Sequence, residues 1–250
     1  MYYDAHSHLD LMNTSELEHT IKNTQENKIK EIISCATNFP SNQKNLELAR
    51  KNPLIKPAIG LYPLDAIELN ETELDKAFYF FKSELKNAIA IGEVGLDFKY
   101  CTKEGDQEKQ KQVFSRFIQL SNETNKPLII HSRYAQKQVL ENLKKEDAKK
   151  VLLHSFVDSK KLIKEAIDLG YYISVGLNTL YNPEVQKNII PIPIEKILFE
   201  TDSPIRFNGE KANPSKVIEI AKKVAEIRSI KLEELVATQE KNYKKLFHSK

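Results

Sequence analysis

The sequence predicts an α/β protein, a single (β/α)8 TIM barrel over residues 1–250. Three observations carry that expectation. Short runs of Ile, Leu, Val and Ala recur eight times along the chain. Longer stretches with helical apolar spacing separate them. Histidines and carboxylates stand at the C-terminal ends of several runs, the rim on which such a barrel gathers its reactive groups.

The strands are expected at Tyr2–His6, Glu31–Ala36, Lys56–Gly60, Ala88–Glu93, Pro127–His131, Lys150–His154, Tyr171–Val175 and Lys196–Asp202. Most are continuous apolar runs, as parallel strands covered by helices should be. After the fourth run, Val113, Phe114, Phe117 and Ile118 form an apolar stripe at i, i+1, i+4, i+5. Leu162, Ile163, Ala166 and Ile167 repeat it, and so do Val217, Ile218, Ala221, Val224 and Ala225. Ser215 is expected to cap the last helix and Gly170 to end the one before it. Asp97–Gln107 is polar enough to predict a long loop, and Ile190-Pro191-Ile192-Pro193 predicts a stiff connector. A doubly wound sheet has the same periodicity and stays open as the alternative. No composition shift marks a domain boundary.

Hydrophobic residues make up 40% of the chain and charged residues 29%, the balance of a soluble globular protein. The net charge of +3 is too mild to imply nucleic acid by itself, because the lysines are spread along helix faces. No apolar run approaches the ~18 residues of a membrane span, and the first strand starts without a charged-then-apolar leader. Cys35 and Cys101 have no metal or redox spacing and suit a reducing cytoplasm.

The chemistry gathers at the strand ends. In Asp4-Ala5-His6-Ser7-His8-Leu9-Asp10, alternation puts His6 and His8 on one face, with a carboxylate on either side of the pair, a set able to hold a divalent metal. Glu93 ends the fourth run, His131 the fifth, His154 the sixth and Asp202 the eighth. Four of the six histidines thus fall on one rim; His19 and His248 do not. Four imidazoles and two carboxylates exceed one tetrahedral ion and fit two ions about 3.5–4 Å apart. His6 and His8, with Asp202 close by, are expected at one ion and His131 and His154 at the other. Glu93 is expected to bridge them, and Asp202 to orient a water or take its proton.

These blocks resemble the TatD-type metal-dependent deoxyribonucleases of the amidohydrolase-like barrel superfamily. The resemblance runs through residues 4–10, Gly92-Glu93-Val94-Gly95-Leu96-Asp97, Pro127 to Arg133, His154-Ser155-Phe156, Glu200-Thr201-Asp202-Ser203-Pro204 and Asn242-Tyr243-Lys244-Lys245-Leu246-Phe247. It implies a TIM barrel with His6, His8, Glu93, His131, His154 and Asp202 as ligands of two divalent ions (Mg²⁺, Mn²⁺ or Zn²⁺), and hydrolysis of phosphodiester bonds in DNA. Two positions depart from the family pattern. Tyr62 stands where it has a histidine, and Tyr134 where it commonly has an acid.

For substrate, Arg133, Arg206, Lys211 and the Tyr62 hydroxyl are candidate phosphate contacts, and Phe98, Tyr100 and Phe207 candidate stacking platforms. Without a basic stripe, a strand end or short oligonucleotide is the expected substrate. No heptad or apolar stripe calls for a protein partner. Two other classes stay open. One is hydrolysis of a small cyclic amide or ester, which the absence of a bridging lysine at the fourth strand disfavours. The other is a weakly active metal-bound module that binds nucleic acid.

Overall fold

The computed structural model describes residues 1–248. Its order is β1 (Tyr2–Ser7), α1 (Thr14–Glu26), β2 (Ile29–Cys35), α2 (Phe39–Lys51), β3 (Ile55–Ile59), α3 (Pro63–Glu68), α4 (Glu71–Glu84), β4 (Ala90–Asp97), α5 (Glu104–Thr124), β5 (Leu128–Arg133), α6 (Gln136–Lys145), β6 (Val151–Leu153), α7 (Lys160–Asp168), β7 (Tyr172–Val175), α8 (Asn178–Tyr181), α9 (Pro183–Ile189), β8 (Ile197–Phe199), a hairpin β9 (Arg206–Phe207) and β10 (Glu210–Lys211), α10 (Val217–Arg228) and α11 (Leu232–Phe247). The first eight strands pair in parallel, each with the next in sequence, so the doubly wound alternative is excluded.

Closure between β8 and β1 comes from the segment that follows β8. Asp202 N–H donates to the His6 carbonyl (3.0 Å) and His8 N–H to the Ser203 carbonyl (2.6 Å). Below them the buried Asp4 carboxylate accepts from Thr201 N–H (2.9 Å) and from the Thr201 hydroxyl. Asp4 therefore replaces a missing rung of the ladder and lies outside the metal site expected of its motif. Asp10 does too, because its carboxylate accepts from Ser41 Oγ at 2.6 Å.

The core has two parts. Ile32, Ile91, Ile130, Leu153, Val175 and Phe199 belong to the outer cluster between strands and helices, which also takes in the α5 stripe of Val113, Phe114, Phe117 and Ile118. Tyr3, Ala5, Ile33, Cys35, Ala58, Ala90, Ile129, Leu152, Tyr172 and Leu198 fill the barrel, one or two from each strand. Tyr243, Leu246 and Phe247 of α11 join this inner group and plug the N-terminal mouth, Tyr243 stacking on Tyr3 at 4.2 Å.

Several boundaries differ from expectation. β4 runs on to Asp97, and the segment expected as a loop to Gln107 is helical from Glu104. Its acids Glu104 and Asp106 occupy the first turn of α5, where the helix dipole favours them, so loop-like polarity marked a helix start. β6 and β8 are shorter than expected, which leaves His154 and Asp202 beyond them. Asn213, rather than Ser215, is the cap: its side chain accepts from Ser215 N–H and opens a 3₁₀ turn before α10. Gly170 does follow α7, with φ of +85°. Among the described residues no helix is long and apolar enough to cross a membrane.

Asp4→Ala leaves the Thr201 N–H unpaired in the closure. We expect it to lower unfolding free energy by about 2–4 kcal/mol, measured by urea denaturation; an unchanged midpoint would show that closure does not depend on this carboxylate.

Candidate metal centre

Inside the C-terminal mouth six side chains converge. His6 Nε2 lies 3.2 Å from His8 Nε2. Glu93 Oε2 lies 3.7 and 3.4 Å from the same two nitrogens, and Asp202 Oδ1 3.4 and 3.3 Å. The His6 and His154 rings stack at 3.8 Å, with His131 6.3 Å from His154. Three overlapping triads result: His6–His8–Glu93, Glu93–His131–His154 and His6–His154–Asp202, each with ligand atoms within 4.8 Å of one another. Glu93 belongs to the first two triads.

Alternation alone does not deliver this arrangement. Tyr3 and Ala5 point into the barrel, so a regular β1 would turn His6 toward the helices. A register shift between Asp4 and Ser7 turns it inward. β4 repeats the device between Ile91 and Val94: Ala90 faces inward and Val94 outward, while Glu93 enters the mouth and donates its N–H to the Ala36 carbonyl at 2.9 Å. Farther along, Gly95 has φ of +141°, and a Cβ there would lie 2.0 Å from the His131 carbonyl oxygen. Glycine is required where β4 presses against β5. β5 and β6 need no such device, because Ile129 and Leu152 already point inward and His131 and His154 follow two residues later.

Groups behind the rings decide which nitrogen faces the centre. His8 Nδ1 is 2.9 Å from the Cys35 carbonyl oxygen, which only accepts, so Nδ1 carries hydrogen and neutral Nε2 keeps its lone pair. His154 Nδ1 donates to Glu200 Oε2 at 2.9 Å, and Ser174 Oγ donates to the same oxygen. His6 Nδ1 faces Cys35 Sγ at 3.3 Å. Such anchoring from behind orients histidines toward a metal. Glu200 and Asp97 were not picked out as site residues in the sequence. Both stand two or four positions from a named ligand, so the alternation that paired His6 with His8 could have found them.

Charge is distributed consistently with this geometry. Burial opposes ionisation throughout. For His8 the adjacent Asp202 carboxylate and the charges of Glu93 and Asp10 outweigh it and lift the pKa to about 9. For His154 the Glu200 charge and hydrogen bond lift it to about 10. His131 is also raised, by Glu93 and Asp97. His6 is lowered by burial and by the neighbouring His154. Against burial, the imidazoles hold Glu93 and Asp202 below the usual carboxylate range. Asp202 Oδ1, buried and without a hydrogen-bond donor, sits among these lone pairs. Clustered nitrogen and carboxylate donors of this kind fit divalent cations.

The candidate substrate residues divide. Arg133 lines the 320 Å³ cavity above the centre, its guanidinium 5.0 Å from the Tyr100 ring centroid. It also lines an adjoining cavity of 410 Å³ that Arg206 reaches, although Arg206 donates to the Gly209 carbonyl at 3.0 Å. Tyr62 lines the first cavity, but its hydroxyl proton is donated to Asp97 Oδ2 at 2.7 Å and is not turned to substrate. Lys211 is not brought to the site. Its ammonium pairs with Glu16, and it lines a separate small depression beside Tyr181. Of the aromatics, Tyr100 is exposed, Phe98 packs partly against the core, and Phe207 stacks on Tyr181 at 6.0 Å.

Comparison with known proteins follows the same lines. The sequence profile described as TatD related DNase matches residues 3–248. An uncharacterized metal-dependent hydrolase of Bacillus subtilis, YabD, is 32% identical over 99% of this chain and 99% of its own. The human deoxyribonuclease TATDN3 is 28% identical over 98% of this chain and 93% of its own. The crystal structure of YJJV, a TatD homologue from Escherichia coli, superposes with a TM-score of 0.90 at 23% identity, covering 100% of this chain and 98% of that one. With a family match running through nearly its whole length and a rim cluster of histidines and carboxylates able to hold metal, the chain belongs to the TatD family of metal-dependent hydrolases.

Proposed function

We propose that the protein is a deoxyribonuclease that hydrolyses phosphodiester bonds at DNA strand ends, working with two divalent cations (Mg²⁺, Mn²⁺ or Zn²⁺). One observation carries this reading: three overlapping ligand triads share His6, Glu93 and His154, so the same six residues supply two adjacent positions. His6 and His8 would hold one cation, His131 and His154 the other, with Glu93 between them and Asp202 beside His6. Two such ions, when bound, lower the pKa of a water and neutralise charge gathering on a phosphoryl group.

The chain's own residues do the rest. Asp202 faces the cavity with its carboxylate about one-third exposed and held ionised, so it can orient the attacking water and accept its proton. Arg133 presents a planar fork to a phosphate oxygen. It is the one Lys or Arg among the residues lining the central cavity, which favours a single strand end over a long duplex. The name of the human relative points to DNA. Two buried free cysteines suit a reducing cytoplasm.

Purified protein supplied with Mg²⁺ or Mn²⁺ should shorten a 3′-labelled single strand. Glu93→Ala and Asp202→Ala should each lower the rate by more than about 100-fold. Rates in both variants unchanged from the wild type would assign the cleavage to a contaminant.

Metal binding should also depend on pH. The pKa values of His8 and His154 in the metal-free protein, about 9 and about 10, mean that a cation must displace protons near neutrality. Apparent affinity should therefore rise from about pH 6 to about pH 8, with proton release on binding. Calorimetry in buffers of different ionisation enthalpy measures this directly, and a pH-independent affinity would contradict it.

A further inference from the structure

One ring in the centre is turned the opposite way from its neighbours. His8 and His154 use Nδ1 to grip the scaffold and aim Nε2 inward. His131 aims Nδ1 inward, 2.8 Å from Glu93 Oε1, and sends Nε2 outward. Its outward partners are Asp97 Oδ2 and Tyr62 Oη, each at 3.2 Å. Asp97 is itself immobilised and fully buried. Its Oδ1 accepts from the N–H groups of Lys99 (3.0 Å) and Tyr100 (3.1 Å), and its Oδ2 accepts from the Tyr62 hydroxyl at 2.7 Å. Tyr62 is fixed in turn. Its N–H donates to the Thr37 carbonyl at 2.7 Å, and its ring meets His131 edge-on at 4.8 Å.

An ionised carboxylate only accepts, so the hydrogen between Asp97 and His131 belongs to Nε2. We propose that Tyr62 is a positioning residue: with Asp97 it holds His131 as the Nε2–H tautomer, so that this one imidazole offers Nδ1 to the cation it shares with Glu93. The inference rests on the two-cation reading of the site. Removing the hydroxyl frees one Asp97 lone pair and one side of the bracket around Nε2–H, which loosens the ring without touching His6 or His8. The expected loss lies in the range that outer-sphere partners of metal ligands command, about 10-fold in affinity.

Two measurements test this, neither using catalysis. Metal-free protein is titrated with Zn²⁺, and the Zn²⁺-loaded protein is examined by ¹⁵N NMR with labelled histidine. The wild type should show His131 bound through Nδ1 with a protonated Nε2, and His8 and His154 in the reverse form. Tyr62→Phe should weaken one of two binding steps by about 10-fold and leave the other unchanged, with faster exchange of the His131 Nε2–H. Asp97→Asn should weaken the same step. Should Asn at 97 prevent folding, the Tyr62→Phe titration decides alone. Ligation of His131 through Nε2, or two unshifted steps in Tyr62→Phe, would overturn the proposal. A single-equivalent isotherm would overturn the two-cation reading, while the NMR tautomer would still decide the role of Tyr62.

Discussion

Lone pairs aimed at lone pairs repel one another, and the interior of this barrel mouth is built from them. His6 Nε2, His8 Nε2, Glu93 Oε2 and Asp202 Oδ1 stand within 3.7 Å of their neighbours with no protein donor except whatever protons the rings themselves carry. Buried acceptors in that state are costly unless protons or cations sit among them. The raised pKa values of His8, His131 and His154 and the lowered ones of Glu93 and Asp202 express the same demand in the metal-free protein. A centre of this kind persists only if the surrounding fold holds it open, and much of the molecule does so.

Support comes from below and from behind. Below, α11 fills the N-terminal mouth with Tyr243, Leu246 and Phe247, so the barrel interior is packed up to the level of the ligands. Asp4 uses its carboxylate to tie β1 to Thr201 after β8, and the same join positions Asp202 beside His6. Behind the rings, acceptors grip the outward nitrogens: a main-chain carbonyl for His8, Glu200 for His154 and Asp97 for His131. Binding energy for a cation is thereby not spent on ordering its ligands. The groups at the cavity rim are less enclosed: Arg133 and Tyr100 are exposed, and Arg206 lies on a two-residue strand of a short hairpin.

Much of this was legible in the chain itself. Eight apolar runs and three helical stripes specify a parallel α/β layout, and all eight runs became strands of one sheet. The six side chains that converge in the mouth were identifiable because histidine and carboxylate punctuated apolar runs at their C-terminal ends, and parallel topology sends those ends to one rim. Errors arose where polar residues served structure. Asp4 and Asp10 looked like metal carboxylates and are tied to Thr201 and Ser41. Lys211 looked like a phosphate contact and is held by Glu16. Glu104 and Asp106 looked like loop and begin a helix.

The sequence by itself determined the alternation of apolar runs and helical stripes and the residue types that end those runs, because period and residue type are local properties. Tertiary structure decided that each strand pairs with the next, closing off the doubly wound alternative, and which way the histidines and carboxylates at the strand ends face. Strict alternation would turn His6 and Glu93 toward the helices; register shifts in β1 and β4 bring them into the mouth, and a shift exists only in relation to the neighbouring strand. The anchoring of the His8 and His154 rings was settled in the same way, by acceptors, the Cys35 carbonyl and the Glu200 carboxylate, that reach them from elsewhere in the fold. Hydrogen-bond direction depends on what stands opposite a nitrogen in space, and no spacing along the chain contains that information.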